Sequence, residues 1–307
     1  MRERWKDELA KMYPDKDIFF DESMKKYTTY KIGGTADVIV YPRSLSKLEE
    51  TISFAHTHKI PYFILGNGSN ILVQDAGIRG IVTSLKRGFD TISITTKEQH
   101  RFSVRAEAGV EVKTLLNFSI KNELAGFEFA VGIPGSIGGA IKTNAGTRTG
   151  DFSRITTMVE VFECNGKLKK RANNELGFTY RSTNLKPGEI IIGGIFDAER
   201  EHKADIVNRL RNIYCERRLK QPLASLNAGS VFKNPAGTSA GFLMEKAGLK
   251  GMTIGDAQIS PQHCNFIVNM GNANARDVLA LISKAQERVD KIFNISLELE
   301  IEVIGEG

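Results

Sequence analysis

Cysteine is scarce in this 307-residue chain. Its three copies, Cys164, Cys215 and Cys264, are odd in number and far apart, and no CxxC pair occurs. Neither a zinc cage nor a disulfide framework is suggested, so buried or idle thiols and no metal are expected. Long apolar runs are missing too: no stretch approaches the roughly 20 apolar residues that cross a bilayer. The N-terminus, MRERWKDELAKMY, mixes acids and bases and lacks an apolar signal region. A cytoplasmic protein without a membrane partner is expected. The net charge is +6, but the basic residues are dispersed and no aromatic ladder is interleaved with them, as a single-strand nucleic-acid binder needs. A short run such as KLKKR (Lys167 to Arg171) reads as solvated surface, and a phosphorylated small molecule is as good a partner for such a charge as nucleic acid. No internal repeat or low-complexity tract is present.

Two phosphate-loop signatures are absent as well. There is no GxxxxGK[ST], and Gly132, Gly135 and Gly138 recur every three residues rather than as GxGxxG. What is present is glycine at two places. GNGSN (Gly66, Asn67, Gly68, Ser69, Asn70) follows the strand-like YFIL, and GIPGSIGGAIKTNAG runs from Gly132 to Gly146. Bare N–H groups in such runs can form a nest for phosphate oxygens. Tight turns and close packing explain them equally well from spacing alone.

Periodicity outlines an α+β chain. ADVIVYP, YFILG, GIVTSL, TISITT, FSVRAEAG, MVEVFE and EIIIGGIF read as strands, and Leu45, Leu48, Ile52 and Ala55 sit at helical spacing. Helices are also expected at 110–124 and 204–220. Val278, Ile282, Ala285, Val289 and Ile292 form one apolar face. The ending LELEIEV alternates, with Leu297, Leu299, Ile301 and Val303 on one side and Glu298, Glu300 and Glu302 on the other. The partition expected is an N-terminal segment 1–26, a domain 27–200 with subdomains at about 27–85 and 86–200, and a domain 201–307.

Taken in order, ILGNGSNILV, GIPGSIGGAIKTNAG, YRSTN, NAGSVFKNP, GDAQISPQHCNFIVN and LELEIEVIGEG resemble the UDP-N-acetylenolpyruvoylglucosamine reductase (UDP-N-acetylmuramate dehydrogenase, MurB) family, from about Tyr27 to Gly307. The resemblance implies a vanillyl-alcohol-oxidase-type (PCMH-like) FAD-binding domain of two subdomains and a smaller C-terminal α+β substrate-binding domain. It implies FAD as cofactor, NADPH as reductant and UDP-N-acetylglucosamine enolpyruvate as substrate, reduced at its carbon–carbon double bond in peptidoglycan precursor synthesis. A monomer is expected.

By the same resemblance, Gly66, Asn67, Gly68, Ser69 and Asn70, together with Gly132, Pro134, Gly135, Ser136, Ile137, Gly138, Gly139 and Asn144, would contact FAD. Ser230 matches the proton donor, Arg181 the holder of the substrate carboxylate and Glu300 the third catalytic member. Lys220, Asn234 and Gln258 match positions near the nucleotide-sugar. Read alone, Ser230 is a turn or cap residue, Arg181 a surface arginine and Glu300 part of a solvated row. His263 reads as a structural histidine, with Asn265 in the same segment. The chain departs from the family at Asp256, where glycine is common, at Cys264, where alanine is, and at Glu302, where a basic residue is. The short stretch after Arg181 resembles the subclass without a tyrosine-bearing substrate loop. An FAD oxidase of the same superfamily would explain the glycines but not Ser230, Arg181 and Glu300 together. A nucleotide- or nucleic-acid-binding module without chemistry has only the charge in its favour.

Overall fold

The computed structural model describes residues 2–97, 101–164 and 166–307. The chain forms two compact units. Unit one comprises Met1–Ile18, Val40–Asn67 and Val82–Glu216; unit two comprises Phe19–Ile39, Gly68–Ile81 and Arg217–Gly307. Both are discontinuous, whereas the partition read from the sequence is sequential. The later boundary falls inside the helix Lys203–Lys220.

Unit one is built on an antiparallel sheet in the order Leu168–Ala172, Thr156–Phe162, Ile190–Arg200, Arg101–Glu107, Ile92–Lys97, with Leu124–Ala125 also paired to Ile190–Arg200. One buried face explains the alternation in the sequence: Phe102, Val104 and Ala106 point into the core, and the residues between them are less buried. Edge-to-face contacts of Phe196 with Phe127 and Phe152, at 6.2 and 5.9 Å, fill the centre. The helices Val112–Lys121 and Ile137–Lys142 add Leu115, Leu116, Ile137 and Ile141 to that core. Leu168–Ala172 is an edge strand, and its exposed Lys169 and Lys170 discourage pairing with another chain. Arg171, the end of the KLKKR run, is an exception to the solvated reading. Its side chain is buried between Glu163 and Glu189.

In unit two the helix Ala275–Phe293 buries Val278, Leu281, Ile282, Ala285 and Val289. Ile292, expected on the same face, is exposed. The helix ends one residue later, with Asn294 in the left-handed conformation, and Phe293 packs against the core in its place. The start of the helix carries a capping box between Asn274 and Asp277. The Asp75 carboxylate also accepts from the N–H groups of Ala275 and Arg276, at 2.9 and 3.1 Å, where a negative charge is favoured. The C-terminal alternation is partly a strand. Leu297 and Ile301 are buried, but the regular ladder covers Glu302–Ile304 alone, parallel to Ile71–Val73. Upstream, Leu299 bridges antiparallel to Phe232. The chain changes partner between the two, which interrupts the strand at Glu300 and Ile301.

Asp17, in unit one, has a side chain only 1% exposed. It accepts from Arg43 Nε and Nη2 at 2.9 and 2.7 Å and from Arg87 Nη1 at 3.3 Å. These donors, Arg43 foremost, hold its carboxyl below the usual carboxylate range. A carboxylate with a depressed folded-state pKa adds stability that is complete above its unfolded value, about 4. That stability is lost as pH falls through the folded value. Asp17→Asn is expected to cost about 1–3 kcal/mol at pH 7, and urea melts should show the gap to wild type closing below about pH 4. A gap that stays constant into acid would contradict this account.

Candidate functional site

The strand Tyr62–Leu65 ends at Gly66, and a Cβ on Gly66 would lie 2.7 Å from Ser136 Oγ. The two glycine stretches therefore meet in unit one, where a side chain on Gly66 would displace the Ser136 hydroxyl. Residues 108–112 run antiparallel to 135–138. Val112 donates to Gly135 O at 2.9 Å, Ile137 to Val110 O at 2.8 Å and Gly138 to Ala108 O at 2.9 Å. Ser136 caps the helix Ile137–Lys142 by accepting from Gly139 N–H at 3.4 Å. The N–H groups of Ile137, Gly138 and Gly139 thus already have acceptors within the chain, which at these three residues favours close packing over a phosphate nest, the two readings that spacing left open. What approaches the backbone of Gly138 is Ala108, whose Cβ would lie 3.0 Å from an added one.

Asn67 is different. Its Oδ1 is buried and has no hydrogen-bond partner among the described residues. An unsatisfied buried acceptor costs about 1–3 kcal/mol, which a donor from a bound cofactor would recover. The next residue, Gly68, has φ 62, and a Cβ there would run into the Tyr27 carbonyl. A buried acceptor awaiting a donor, beside a turn that only glycine can make, fits the FAD that the resemblance implies.

Arg181 stands in unit one at the tip of a turn, Thr179–Ser182, closed by Thr179 N–H on Ser182 O at 3.0 Å. Its φ of 59 is left-handed, a conformation that costs a residue with a Cβ about 1–2 kcal/mol and is concentrated at functional sites. The guanidinium donates to Gly146 O at 2.8 Å and to Asn144 O at 3.5 Å, and lies 5.1 Å from the Tyr180 ring centroid. Asn144 is itself buried. Its Nδ2 donates to Thr179 O at 3.0 Å and its Oδ1 accepts from Ser153 N–H at 2.9 Å. Arg181 is thereby tied to the end of the second glycine stretch.

Unit two brings Ser230, Glu300 and Asn70 together. Val231, the residue after Ser230, accepts from Glu300 N–H at 2.8 Å. The Glu300 carbonyl in turn accepts from Asn70 Nδ2 at 3.0 Å. Asn70 therefore spends its amide on the backbone that carries Glu300. The tentative substrate positions are more dispersed. Asn234 Oδ1 accepts from Ala240 N–H at 3.0 Å, at the start of the helix Ala240–Lys246. Gln258 Nε2 reaches Gly251 O at 3.4 Å, and Lys220 is the exposed last residue of its helix.

His263 has the surroundings of a structural residue. Burial lowers its pKa, its ring packs edge-on to Phe266, and its Nδ1 accepts from Asn265 N–H at 3.2 Å. The departures from the family pattern also have local accounts. Asp256 Oδ2 accepts from Asn272 N–H at 3.0 Å. Cys264 is buried, and that burial pushes its thiol pKa up. Glu302 pairs with Ile71 and keeps an exposed side chain. The residue that sequence reasoning undervalued is Asn265, buried among Cys264, Phe266 and Phe232. Its signal was an asparagine inside the apolar run CNFIV, because a buried amide must find partners.

Comparison with known proteins identifies the family. Residues 36–171 match the FAD binding domain family, and residues 221–304 match the C-terminal domain of UDP-N-acetylenolpyruvoylglucosamine reductase. The enzyme of that name from Clostridium kluyveri is 39% identical over 299 residues, 97% of this chain and 96% of its own length. That from Clostridium novyi is 41% identical over 284 residues, 92% and 91% of the two chains. The crystal structure of the Thermus caldophilus reductase superposes with a TM-score of 0.81 at 37% identity, covering 92% of this chain and 98% of that one. With nearly full-length relatives at this identity, and an α+β fold that joins an FAD-binding domain to a C-terminal domain of its own type, the chain belongs to the UDP-N-acetylenolpyruvoylglucosamine reductase family.

Proposed function

We propose that this chain is a cytoplasmic, monomeric oxidoreductase that converts UDP-N-acetylglucosamine enolpyruvate to UDP-N-acetylmuramate, using FAD and NADPH, in peptidoglycan precursor synthesis. The observation that carries the reading is the hydrogen bond between Val231 and Glu300. In a chain of this family it puts the peptide after Ser230 against the backbone of Glu300.

What FAD supplies when bound is a hydride for the enolpyruvyl double bond, with NADPH as its source. The residues proposed to hold the cofactor are Gly66, Asn67, Gly68, Ser69 and Asn70, with Gly132, Pro134, Gly135, Ser136, Ile137, Gly138, Gly139 and Asn144. Asn67 Oδ1 is a buried acceptor without a partner among the described residues. After hydride addition the substrate carbon next to the carboxylate carries enolate charge. A guanidinium suits that charge because it is planar, permanently cationic and can donate two hydrogen bonds at once, which is the role proposed for Arg181. The Ser230 hydroxyl then gives its proton to the basic carbon. Glu300 is proposed to engage the substrate carboxylate, with Lys220, Asn234 and Gln258 toward the nucleotide-sugar.

Two outcomes check this reading. Ser230→Ala is expected to keep its FAD and its reduction by NADPH, while flavin reoxidation by substrate slows about 10²–10⁴-fold; stopped-flow absorbance separates the two steps, and fast reoxidation would remove Ser230 from its role. Asn67→Ala is expected to weaken FAD binding about 3–10-fold, the worth of one hydrogen bond, without lowering the melting temperature of the flavin-free protein, because the variant no longer buries an unpaired acceptor. Unchanged FAD affinity with a lower apoprotein melting temperature would assign Asn67 a structural role instead.

A further inference from the structure

Ser230 has no strand to hold it. Around it the only sheet-like pairings among the described residues are single antiparallel bridges, Leu226 to Asn269 and Phe232 to Leu299. Yet Ala228, Val231 and Phe232 are each at most 1% exposed, and buried main-chain groups must be paired. Gly229 N–H donates to Asn227 Oδ1 at 2.8 Å. The two residues that follow Ser230 are held chiefly by Asn265. Val231 N–H donates to Asn265 O at 2.8 Å, Phe232 N–H to Asn265 Oδ1 at 2.9 Å, and Asn265 Nδ2 donates back to Phe232 O at 2.8 Å.

A carboxamide presents one acceptor and one donor side by side in a plane. That is what the edge of a neighbouring strand would offer Phe232, and Asn265 supplies it from a side chain. Asn265 is itself buried between Cys264 and Phe266, so it has no water to turn to in place of these bonds. On the opposite side the Val231 carbonyl accepts from Glu300 N–H. Val231 is therefore gripped at both ends: its N–H by Asn265 and its carbonyl by Glu300.

We infer that Asn265 is a positioning residue for Ser230: its carboxamide replaces a missing strand and fixes the Ser230 backbone against that of Glu300. The inference rests on the reading of Ser230 as proton donor. The chemistry of the side chain is specific. Aspartate would keep the acceptor for Phe232 N–H but set a charged oxygen against the Phe232 carbonyl. Leucine, close in shape, would leave an N–H and a C=O of Phe232 buried and unpaired, at about 1–3 kcal/mol each. Glutamine adds a methylene and pushes the segment away. Serine can serve one of the two bonds at shorter reach.

The test uses the full-length holoenzyme and compares wild type, Asn265→Ser, Ser230→Ala and the double variant by stopped-flow absorbance. Asn265→Ser is expected to leave flavin reduction by NADPH unchanged and to slow reoxidation by UDP-N-acetylglucosamine enolpyruvate about 10²-fold, the cost of misplacing a reacting group by roughly 1 Å. In the Ser230→Ala background the same substitution should add nothing, because the group it positions is already gone. Equal losses in both steps, no loss in either, or a full further loss on top of Ser230→Ala would each overturn the inference.

A second measurement needs neither variant nor activity. Deuterium exchange of wild-type peptides covering residues 229–233 should show the Val231 and Phe232 amides protected to the level of the core. Exchange at the rate of exposed loops would show that no such clamp exists and would overturn the inference by itself. A wild-type enzyme that is not reoxidised by this substrate, yet protects those amides, would overturn the functional reading and leave the clamp standing.

Discussion

The carbonyl of Val231 and the N–H of Glu300 form one hydrogen bond of 2.8 Å, and much of unit two is arranged around it. Glu300 reaches that position because the chain just after it zips onto Ile71–Val73, and because Asn70, at the start of that strand, caps the Glu300 carbonyl. Val231 reaches it because Asn265 holds the other side of the same segment. Asp75, on the loop after Ile71–Val73, ties this strap to the start of the helix Ala275–Phe293. The apolar core under that helix provides the rigidity, and the polar contacts above it set the register.

Unit one solves a similar problem with glycine. The segments 108–112 and 135–138 exchange main-chain hydrogen bonds at a separation that puts a Cβ on Gly138 only 3.0 Å from that of Ala108, and Gly66 approaches the Ser136 hydroxyl. Most of the N–H groups in the second glycine stretch are consumed in holding this shape. Among the described residues of unit one, the buried side-chain atom without a hydrogen-bond partner is Asn67 Oδ1, between the two glycines of the first loop. The glycines thus let these segments approach closely, and the Asn67 oxygen is left as a buried acceptor without a partner among the described residues.

Sequence reading recovered the regular elements well where one periodicity ran unbroken. The strand Arg101–Glu107 alternates cleanly because one of its faces is buried along its whole length. It failed where a segment serves two partners: LELEIEV alternates throughout, yet the change from Phe232 to Ile71–Val73 splits it. The Ile292 face failed because the choice between positions 292 and 293 is made by where the helix stops, which tertiary packing decides. Arg171 looked like its lysine neighbours because its buried partner Glu189 lies 18 residues away. At the site, Ser230, Arg181 and Glu300 came from the ordered motifs of the family, since each is unremarkable in isolation. Spacing suggested a phosphate nest, but N–H groups promised by glycine spacing can be spent inside the chain, and only coordinates reveal that. Asn265 was visible as a polar residue in an apolar run, without any hint that its partner was the Ser230 segment.

The central claim is that one chain carries both halves of a flavin-mediated reduction, and a visible absorption spectrum tests it most directly. The purified protein would be recorded as isolated, after anaerobic NADPH, and again after UDP-N-acetylglucosamine enolpyruvate. The account predicts a yellow protein that bleaches with NADPH and recovers its colour when that substrate is added without oxygen. A protein that stays colourless after FAD is supplied, or one that bleaches and recovers only in air, would contradict it.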